Sequence, residues 1–136
     1  MTAIAVTTAQ AGEVHPQNNE VISVLLAEAV TVLEAAYQLA TGFGIADANA
    51  SGKQQFRGIF MQSGAAGDVV RLLKRGAVYG FTVAALDGDA PLYLSDTVGD
   101  LDTAVGTMTV VCGRVLLLPD GSKVAYIDAQ WAQVWA

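Results

Sequence analysis

Three carboxylates within seven residues form the densest group of potential metal ligands in the sequence. They are Asp96, Asp100 and Asp102, in the stretch Asp96-Thr97-Val98-Gly99-Asp100-Leu101-Asp102. Calcium prefers oxygen ligands on a tight loop, but an EF-hand loop also needs a glycine after its third acidic position and a closing glutamate. Because both are missing, the stretch favours a solvated hairpin turn over a calcium site, and we expect no bound metal.

The only cysteine and the only histidine are far apart along the chain. Cys112 follows the β-prone run Thr107–Val111, whereas His15 lies in a polar segment near the N-terminus. A cysteine nucleophile needs a histidine or a helix N-terminus beside it. Free cysteine is among the most buried residue types, so we expect Cys112 to be a core thiol. A single cysteine also excludes an intrachain disulfide and a multi-cysteine metal site.

The sequence contains none of the common enzyme signatures. It has no P-loop, no Gly-x-Gly-x-x-Gly, no Gly-x-Ser-x-Gly and no histidine-based metal motif. With one histidine and one cysteine, the usual acid–base and nucleophilic repertoire is also small. We therefore predict that the chain is not an enzyme and uses no cofactor.

The composition indicates one folded domain with little affinity for nucleic acid. The 136 residues are 53% hydrophobic and only 15% charged, and the net charge is −6. A phosphate backbone repels such a chain unless a basic patch overrides the average. The only basic cluster, Arg71, Lys74 and Arg75, is more typical of a solvated surface.

The high apolar fraction does not come from a membrane span. A spanning helix needs about 20 largely apolar residues, and the best run, Val21–Val32, already contains Glu28. No Lys or Arg precedes Lys53, so the positive region of a signal peptide is missing. Either much of the chain forms a hydrophobic core, or other subunits cover much of its surface. The second alternative is possible because obligate interfaces are about as apolar as the core of a domain.

Turn residues and short β-prone runs predict a mostly β domain. Glycine-containing turns recur from Gly42 onward, with β-prone runs between them, which is the pattern of a small barrel or sandwich. We divide the chain into an extended N-terminal arm (1–20), a β domain (21–128) and a C-terminal tail (129–136). The stretch 27–40 is ambiguous, because alanine, leucine and glutamate favour helix while the valines and threonine favour strand.

An internal repeat resolves that ambiguity. Tyr37 corresponds to Tyr93 and Gly58 to Gly113, at offsets that differ by one residue. A repeat at a fixed spacing indicates two units of similar architecture. Because the run around Tyr93 reads as a strand, the repeat predicts a strand at 35–39, two similar halves and little helix.

Both tryptophans, Trp131 and Trp135, lie in the last six residues. One interpretation is that they close the core of the domain. The other is that they contact another subunit, because tryptophan is enriched as an anchor at interfaces. Sequence alone leaves both open, and we carry the subunit contact forward as a hypothesis.

Several stretches resemble the capsid decoration proteins, or cement proteins, of tailed bacteriophages. The resemblance spans about residues 21–128, and the order and spacing of its motifs carry it. The stretches are Arg75-Gly76-Ala77-Val78-Tyr79-Gly80-Phe81-Thr82, Leu86-Asp87-Gly88-Asp89-Ala90-Pro91-Leu92-Tyr93-Leu94-Ser95-Asp96-Thr97-Val98-Gly99, Val111-Cys112-Gly113-Arg114-Val115 and Val124-Ala125-Tyr126-Ile127-Asp128. The first half also fits, in Glu34-Ala35-Ala36-Tyr37-Gln38-Leu39 and Gly58-Ile59. This pattern defines no functional residues in the family, so none are transferred.

The resemblance implies a homotrimer on the outer surface of a phage head, assembled in the cytoplasm of the bacterial host. Such a protein bridges neighbouring major capsid proteins and stabilises the head against the pressure of the packaged DNA. Its partners would be the major capsid protein and further copies of itself, with no nucleic acid and no membrane. The alternative is a fibre or baseplate accessory module that binds a carbohydrate or a receptor.

The N-terminal arm is our candidate for the capsid contact. Ile4, Val6, Thr7 and Thr8 are β-prone and lie outside the repeat. An extended segment with unpaired backbone groups can add a strand to an exposed sheet edge on a partner. We therefore expect the arm to be mobile in the free protein and ordered on the capsid.

Overall fold

The computed structural model describes residues 3–135, which form a mostly β structure with 42% strand and 5% helix. The helical part consists of two short 3₁₀ turns, Thr8–Gln10 and Pro16–Asn18. The predicted fold class, with little helix, is therefore confirmed. Among the described residues, no helix has the length and apolar character needed to cross a bilayer.

Ten strands account for the rest of the regular structure. They are β1 (Gly12–Glu13), β2 (Glu20–Leu25), β3 (Ala35–Leu39), β4 (Gly42–Ile45), β5 (Gly58–Phe60), β6 (Val69–Tyr79), β7 (Pro91–Leu94), β8 (Leu101–Asp102), β9 (Val111–Leu117) and β10 (Lys123–Asp128). All strand pairs are antiparallel, and they form one open, curled sheet that resembles half of a barrel.

The strand order shows two halves with the same connectivity. Neighbours run β4-β3-β5-β6-β10-β9-β7-β8, and β1 and β2 also pair with β6. In the first half β3 pairs with β4 and β5, and β5 pairs with β6. In the second half β7 pairs with β8 and β9, and β9 pairs with β10. The internal repeat is therefore a repeat of strand pairing.

The ambiguous stretch 27–40 contains β3 and no regular helix, as the repeat predicts. Ala35, Ala36 and Tyr37 are all buried, because β3 lies between β4 and β5 with apolar groups on both faces. Tertiary burial on both faces overrides the helical propensity of the alanines.

The two glycines of the repeat occupy corresponding places in the sheet. Gly58 lies opposite Ala36 on β3, and Gly113 lies opposite Leu92 on β7. A Cβ atom on Gly58 would collide with the carbonyl oxygen of Leu73, and one on Gly113 would collide with that of Tyr126. The backbones of adjacent strands approach closely at both points, so each half requires a residue without a side chain there.

Two hydrophobic clusters lie on opposite faces of the sheet. The inner core is enclosed by the curl and draws on both halves; it includes Leu33, Tyr37, Phe56, Ile59, Leu73, Val78, Leu92, Leu94, Leu101, Cys112 and Ile127. The outer core belongs to the first half alone and consists of Val24, Leu26, Val30, Ala36, Phe43, Phe60, Val70 and Leu72. Only the first half is thus packed on both faces.

The described part of the arm, residues 3–20, lies against the body of its own chain. The amide of Ile4 donates to the carbonyl of Leu101 at 2.8 Å, and that of Thr7 donates to the carbonyl of Gly80 at 2.8 Å. Ile4 is buried in the inner core with 6% exposure. The arm is extended, but its backbone pairs within the chain where we expected an unpaired segment; residues 1 and 2 lie outside the described range.

The pairing of β6 accounts for the position of the N-terminal segment. Arg75 pairs with Glu20 of β2 and also with Asp128 of β10, so β2 and β10 occupy opposite edges of β6. The N-terminal segment therefore covers an edge that the two halves leave free. An uncovered edge would present unpaired N–H and C=O groups, which native sheets avoid.

Candidate functional site

An open groove on the outer face of the second half is the candidate site. It has a volume of about 520 Å³ and lies over β9 and β10. Side chains alternate along β10, so Ala125 and Ile127 enter the inner core while Tyr126 points to the opposite face. Val111, Leu116, Tyr126 and Trp135 supply the apolar and aromatic lining.

Polar side chains surround this lining. They are Asp89, which precedes β7, Arg114 on β9, Asp128 at the end of β10 and Gln130 in the tail. Arg114 Nη1 donates to the Asp89 carbonyl at 2.8 Å and lies 3.8 Å from its carboxylate. Two acidic groups and one guanidinium thus border the groove directly.

A second guanidinium lies beside Asp128. Arg75 Nε donates to Asp128 Oδ1 at 3.1 Å, and this hydrogen bond raises the pKa of Arg75 above its already high normal value. Each carboxylate at the groove therefore has an arginine partner. The result is a site with little net charge inside a protein of charge −6.

The C-terminal tail brings Trp135 to the groove. Its amide donates to Gln55 Oε1 at 2.8 Å, and its carbonyl accepts from Gln55 Nε2 at 2.7 Å and from Gln54 Nε2 at 3.1 Å. The indole packs partly against the inner core. Its Nε1 is buried and has no hydrogen-bond partner among the described residues.

Trp131 is held between the two cores instead. Its Nε1 donates to the Arg57 carbonyl at 3.0 Å, and its ring lies 5.2 Å from Lys74 Nζ and 6.2 Å from the Phe43 ring. It contacts both the inner and the outer core. Of the two residues predicted to contact another subunit, only Trp135 lines the groove, and the subunit contact itself stays a prediction for both.

The predicted capsid-contact residues lie elsewhere. Val6, Thr7 and Thr8 are exposed, and Val6 forms a β-bridge with Phe81 beyond the end of β6. None of them lines the groove, and the buried side chain of Ile4 is already packed inside its own chain. Of the four residues predicted to contact the capsid, these three are exposed and Ile4 is not.

Two of the three carboxylates of the acidic loop, Asp96 and Asp102, accept hydrogen bonds from the protein. Asp96 accepts from the amide of Thr107 at 2.7 Å and from its hydroxyl at 2.8 Å. Asp102 is buried and accepts from the Ser95 hydroxyl at 3.2 Å. Within residues 3–135, no group of three or more His, Cys, Asp or Glu side chains is arranged to hold a metal ion.

Burial shifts the pKa values of Glu34 and Cys112, neither of which lines the groove. Burial raises the pKa of Glu34, which accepts from the Thr31 amide at 2.6 Å, and the nearby charges of Asp100 and Glu28 raise it further. Burial raises the pKa of the fully buried Cys112 thiol well above its normal value, which disfavours the reactive thiolate. Cys112 is thus part of the inner core, and Glu34 caps the turn at Thr31.

Sequence reasoning did not identify the groove. Its polar residues come from positions between Asp89 and Gln130, in different strands and loops, and no short motif contains them. Asp89 lies in the run Asp87-Gly88-Asp89, whose residue types are typical of a turn. A comparison with known proteins finds no match for this chain among family models, curated proteins or solved structures.

Proposed function

We propose that this chain is a structural protein of a bacteriophage virion that binds the outer surface of the capsid and cements neighbouring major capsid proteins. The observation that carries the proposal is where the four stretches of the resemblance lie. They fall mainly on β6, β7, β9 and β10, which are consecutive neighbours in the order β6-β10-β9-β7. Motifs scattered along the sequence thus belong to one continuous piece of sheet.

The exposed apolar side chains support self-association. Val69 is 65% exposed, Leu117 is 56% exposed and Val134 is 75% exposed, in a chain with few charges to keep it dispersed. Burying these side chains against another copy of the chain would remove apolar area from water, which is favourable. We propose a homotrimer, with a mass three times the 14.1 kDa of the chain, measurable by light scattering of the purified protein. A stable monomer at micromolar concentration would contradict this part of the proposal.

The capsid contact is assigned to the exposed residues of the arm. Val6, Thr7 and Thr8 belong to a segment whose backbone already pairs with Gly80, Phe81 and Thr82, just beyond the end of β6. Their side chains are therefore presented without a large ordering cost on binding. This differs from a mobile arm that orders on the capsid. An arm that is already held against its own chain should bind the capsid with little rearrangement.

The test uses phage heads that lack this protein. Recombinant chain is added to heads purified from a phage whose copy of the gene is deleted, and binding and thermal release of DNA are measured. We expect saturable binding and DNA release at a higher temperature. The double variant Val6→Ser, Thr8→Ala should bind at least about tenfold more weakly. Val98→Ser, at a residue that is 51% exposed outside the arm, is the matched control.

Two results would contradict the proposal. Heads that neither bind the protein nor gain thermal stability would reject the cement function. Equal binding by the arm variant and by the wild type would reject the arm as the contact while leaving the cement function in place.

A further inference from the structure

We propose that the groove on the outer face of the second half binds a short oligosaccharide. This inference goes beyond the cement function, since it concerns a ligand other than the capsid, and it stands on the groove alone. Its volume of about 520 Å³ lies within the range of roughly 300–1,000 Å³ that is common for small-ligand sites.

The lining combines the two kinds of surface that a sugar ring requires. Pyranose rings present flat patches of C–H groups, which pack on aromatic faces, and a periphery of hydroxyls, which need donors and acceptors. Tyr126, which is 36% exposed, and Trp135 supply aromatic surface in the groove. Asp89, Arg114, Asp128 and Gln130 supply polar groups around it.

Several of these polar groups are available to a ligand. Within the part of the chain that the structure describes, the Tyr126 hydroxyl and the Gln130 side-chain amide make no hydrogen bond to protein. Asp128 uses Oδ1 for Arg75, and its Oδ2 has no protein donor among the described residues. A ligand with several hydroxyls pairs with acceptors and donors together, which matches this mixed set.

The same features disfavour a peptide strand. The backbones of β9 and β10 are paired with each other from Lys123↔Leu117 to Ile127↔Gly113, so the floor of the groove has no free strand edge to extend. An apolar segment laid across the groove would bury Oδ2 of Asp128 and the side-chain amide of Gln130 without giving either a hydrogen-bond partner. Each such group lowers affinity by about tenfold or more.

The charge balance disfavours a strongly charged ligand. Asp89 pairs with Arg114, and Asp128 pairs with Arg75, which also pairs with Glu20. A polyanion therefore gains no net attraction in the groove, and a polycation would have to displace the arginines that already pair with the acidic groups. A neutral, hydroxyl-rich ligand remains the best match. This points to uncharged glycans as the chemical class.

The experiment is a titration of the intact ¹⁵N-labelled protein with neutral trisaccharides of glucose, N-acetylglucosamine, mannose and galactose at millimolar concentrations. The protein has two indole N–H signals, and only Trp135 lines the groove. We expect at least one sugar to shift the Trp135 signal saturably while the Trp131 signal changes little. Tyr126→Ala and Gln130→Ala should each weaken binding at least about tenfold.

Tyr79→Ala is the matched control, because Tyr79 is 45% exposed and lies outside the groove. The proposal fails if no sugar in the panel gives a saturable shift, or if Tyr79→Ala weakens binding as much as Tyr126→Ala. It also fails if Tyr126→Ala lowers the mass of the assembly in light scattering, because the groove is then a contact between subunits. Binding to phage heads is measured in a separate experiment. A protein that fails to bind heads would therefore leave the outcome of the sugar titration unchanged.

Discussion

The two halves of the sheet share one connectivity but differ in what covers their outer faces. In the first half, Val24, Leu26 and Val30 pack over β3, β5 and β6 and complete the outer core. In the second half, the corresponding face over β9 and β10 is the open groove. A repeated pairing scheme therefore fixes how strands are connected but leaves open whether both faces of each half are packed.

The reason for the difference lies in the segment that precedes the repeat. Strand β2 pairs with β6 from Val69 onward, and the chain then crosses the first half, where the amide of Leu26 donates to Asp68 and that of Ala27 to Phe43. This segment occurs once in the chain. It can cover one half only, and the half it covers is the one that follows it directly.

The facing of the side chains differs as well. Ala36 and Leu92 both lie opposite the repeat glycine of their half, yet Ala36 packs in the outer core and Leu92 in the inner core. A register irregularity between Leu92 and Tyr93 accompanies this difference. Because side chains alternate with a period of two, a shift of one residue exchanges the two faces.

The largest expected difference in stability is between a substitution on the packed outer face of the first half and one on the open outer face of the second half. Phe60→Ala removes a fully buried ring from the outer core and should lower the free energy of unfolding by about 3–5 kcal/mol. Tyr126→Ala, on the open face, should cost less than about 1 kcal/mol. Urea denaturation at a fixed protein concentration measures both. Similar losses for the two variants would mean that the groove is packed in solution.

The next largest effect concerns the N-terminal arm. At Ile4 the arm contacts β8 in the second half, and at its other end it continues into β2, which pairs with β6. Ile4→Ala should lower the free energy of unfolding by at least about 2 kcal/mol, because Ile4 fills the inner core beside β8. Thr8→Ala, on the exposed side, should change it by less than about 0.5 kcal/mol. If both variants are as stable as the wild type, the arm is not part of the folded core in solution.

The repeat glycines provide a test of what the halves have in common. Gly58→Ala and Gly113→Ala should each cost about 1–3 kcal/mol, because the added methyl group meets a carbonyl oxygen of the neighbouring strand. At Gly58 the φ of +148° adds backbone strain, whereas at Gly113 the added methyl group meets the carbonyl oxygen more closely, so we expect losses of similar size. Gly12→Ala has nothing within 4 Å of the new atom and is the control. A large loss in one half only would show that the close approach is not shared.

The smallest effect is a dependence of stability on pH. The pKa of Glu34 is raised in the folded chain, mainly by burial, so the folded state holds this proton more tightly than the unfolded state does. Stability therefore falls as pH rises from the usual value of 4.5 through the folded pKa. Glu34→Gln keeps an acceptor for the Thr31 amide and should flatten this fall, as measured by thermal unfolding from pH 4 to pH 7.

Asp120 in the second half should behave in the opposite way. Hydrogen bonds from Ser122 lower its pKa, so its contribution is present above the usual value of 3.8 and is lost as pH falls through the lowered pKa. Because Asp120 is fully exposed, Asp120→Asn should change the pH profile only slightly and only at the acidic end. An equal flattening by both variants would argue against burial as the cause at Glu34.

The sequence by itself determined the elements that depend on local pattern. Short β-prone runs between glycine turns predicted a mostly β chain, although residues 107–110 of the run Thr107–Val111 lie outside the strands. The repeat of Tyr37 and Gly58 at Tyr93 and Gly113 predicted the two halves and the strand at Ala35–Leu39. Such features follow from backbone preferences and from spacing along the chain, so they are visible without knowledge of the fold.

The tertiary structure alone decided which surfaces remain open. Whether the arm stays free depends on the uncovered edge of β6, and whether Trp131 or Trp135 reaches the surface depends on how the tail crosses the sheet. The groove brings together Asp89, Arg114 and Tyr126 from separate elements. Long-range contacts of this kind are set by the packing of whole strands, because no local preference of a residue specifies which distant residue will cover it.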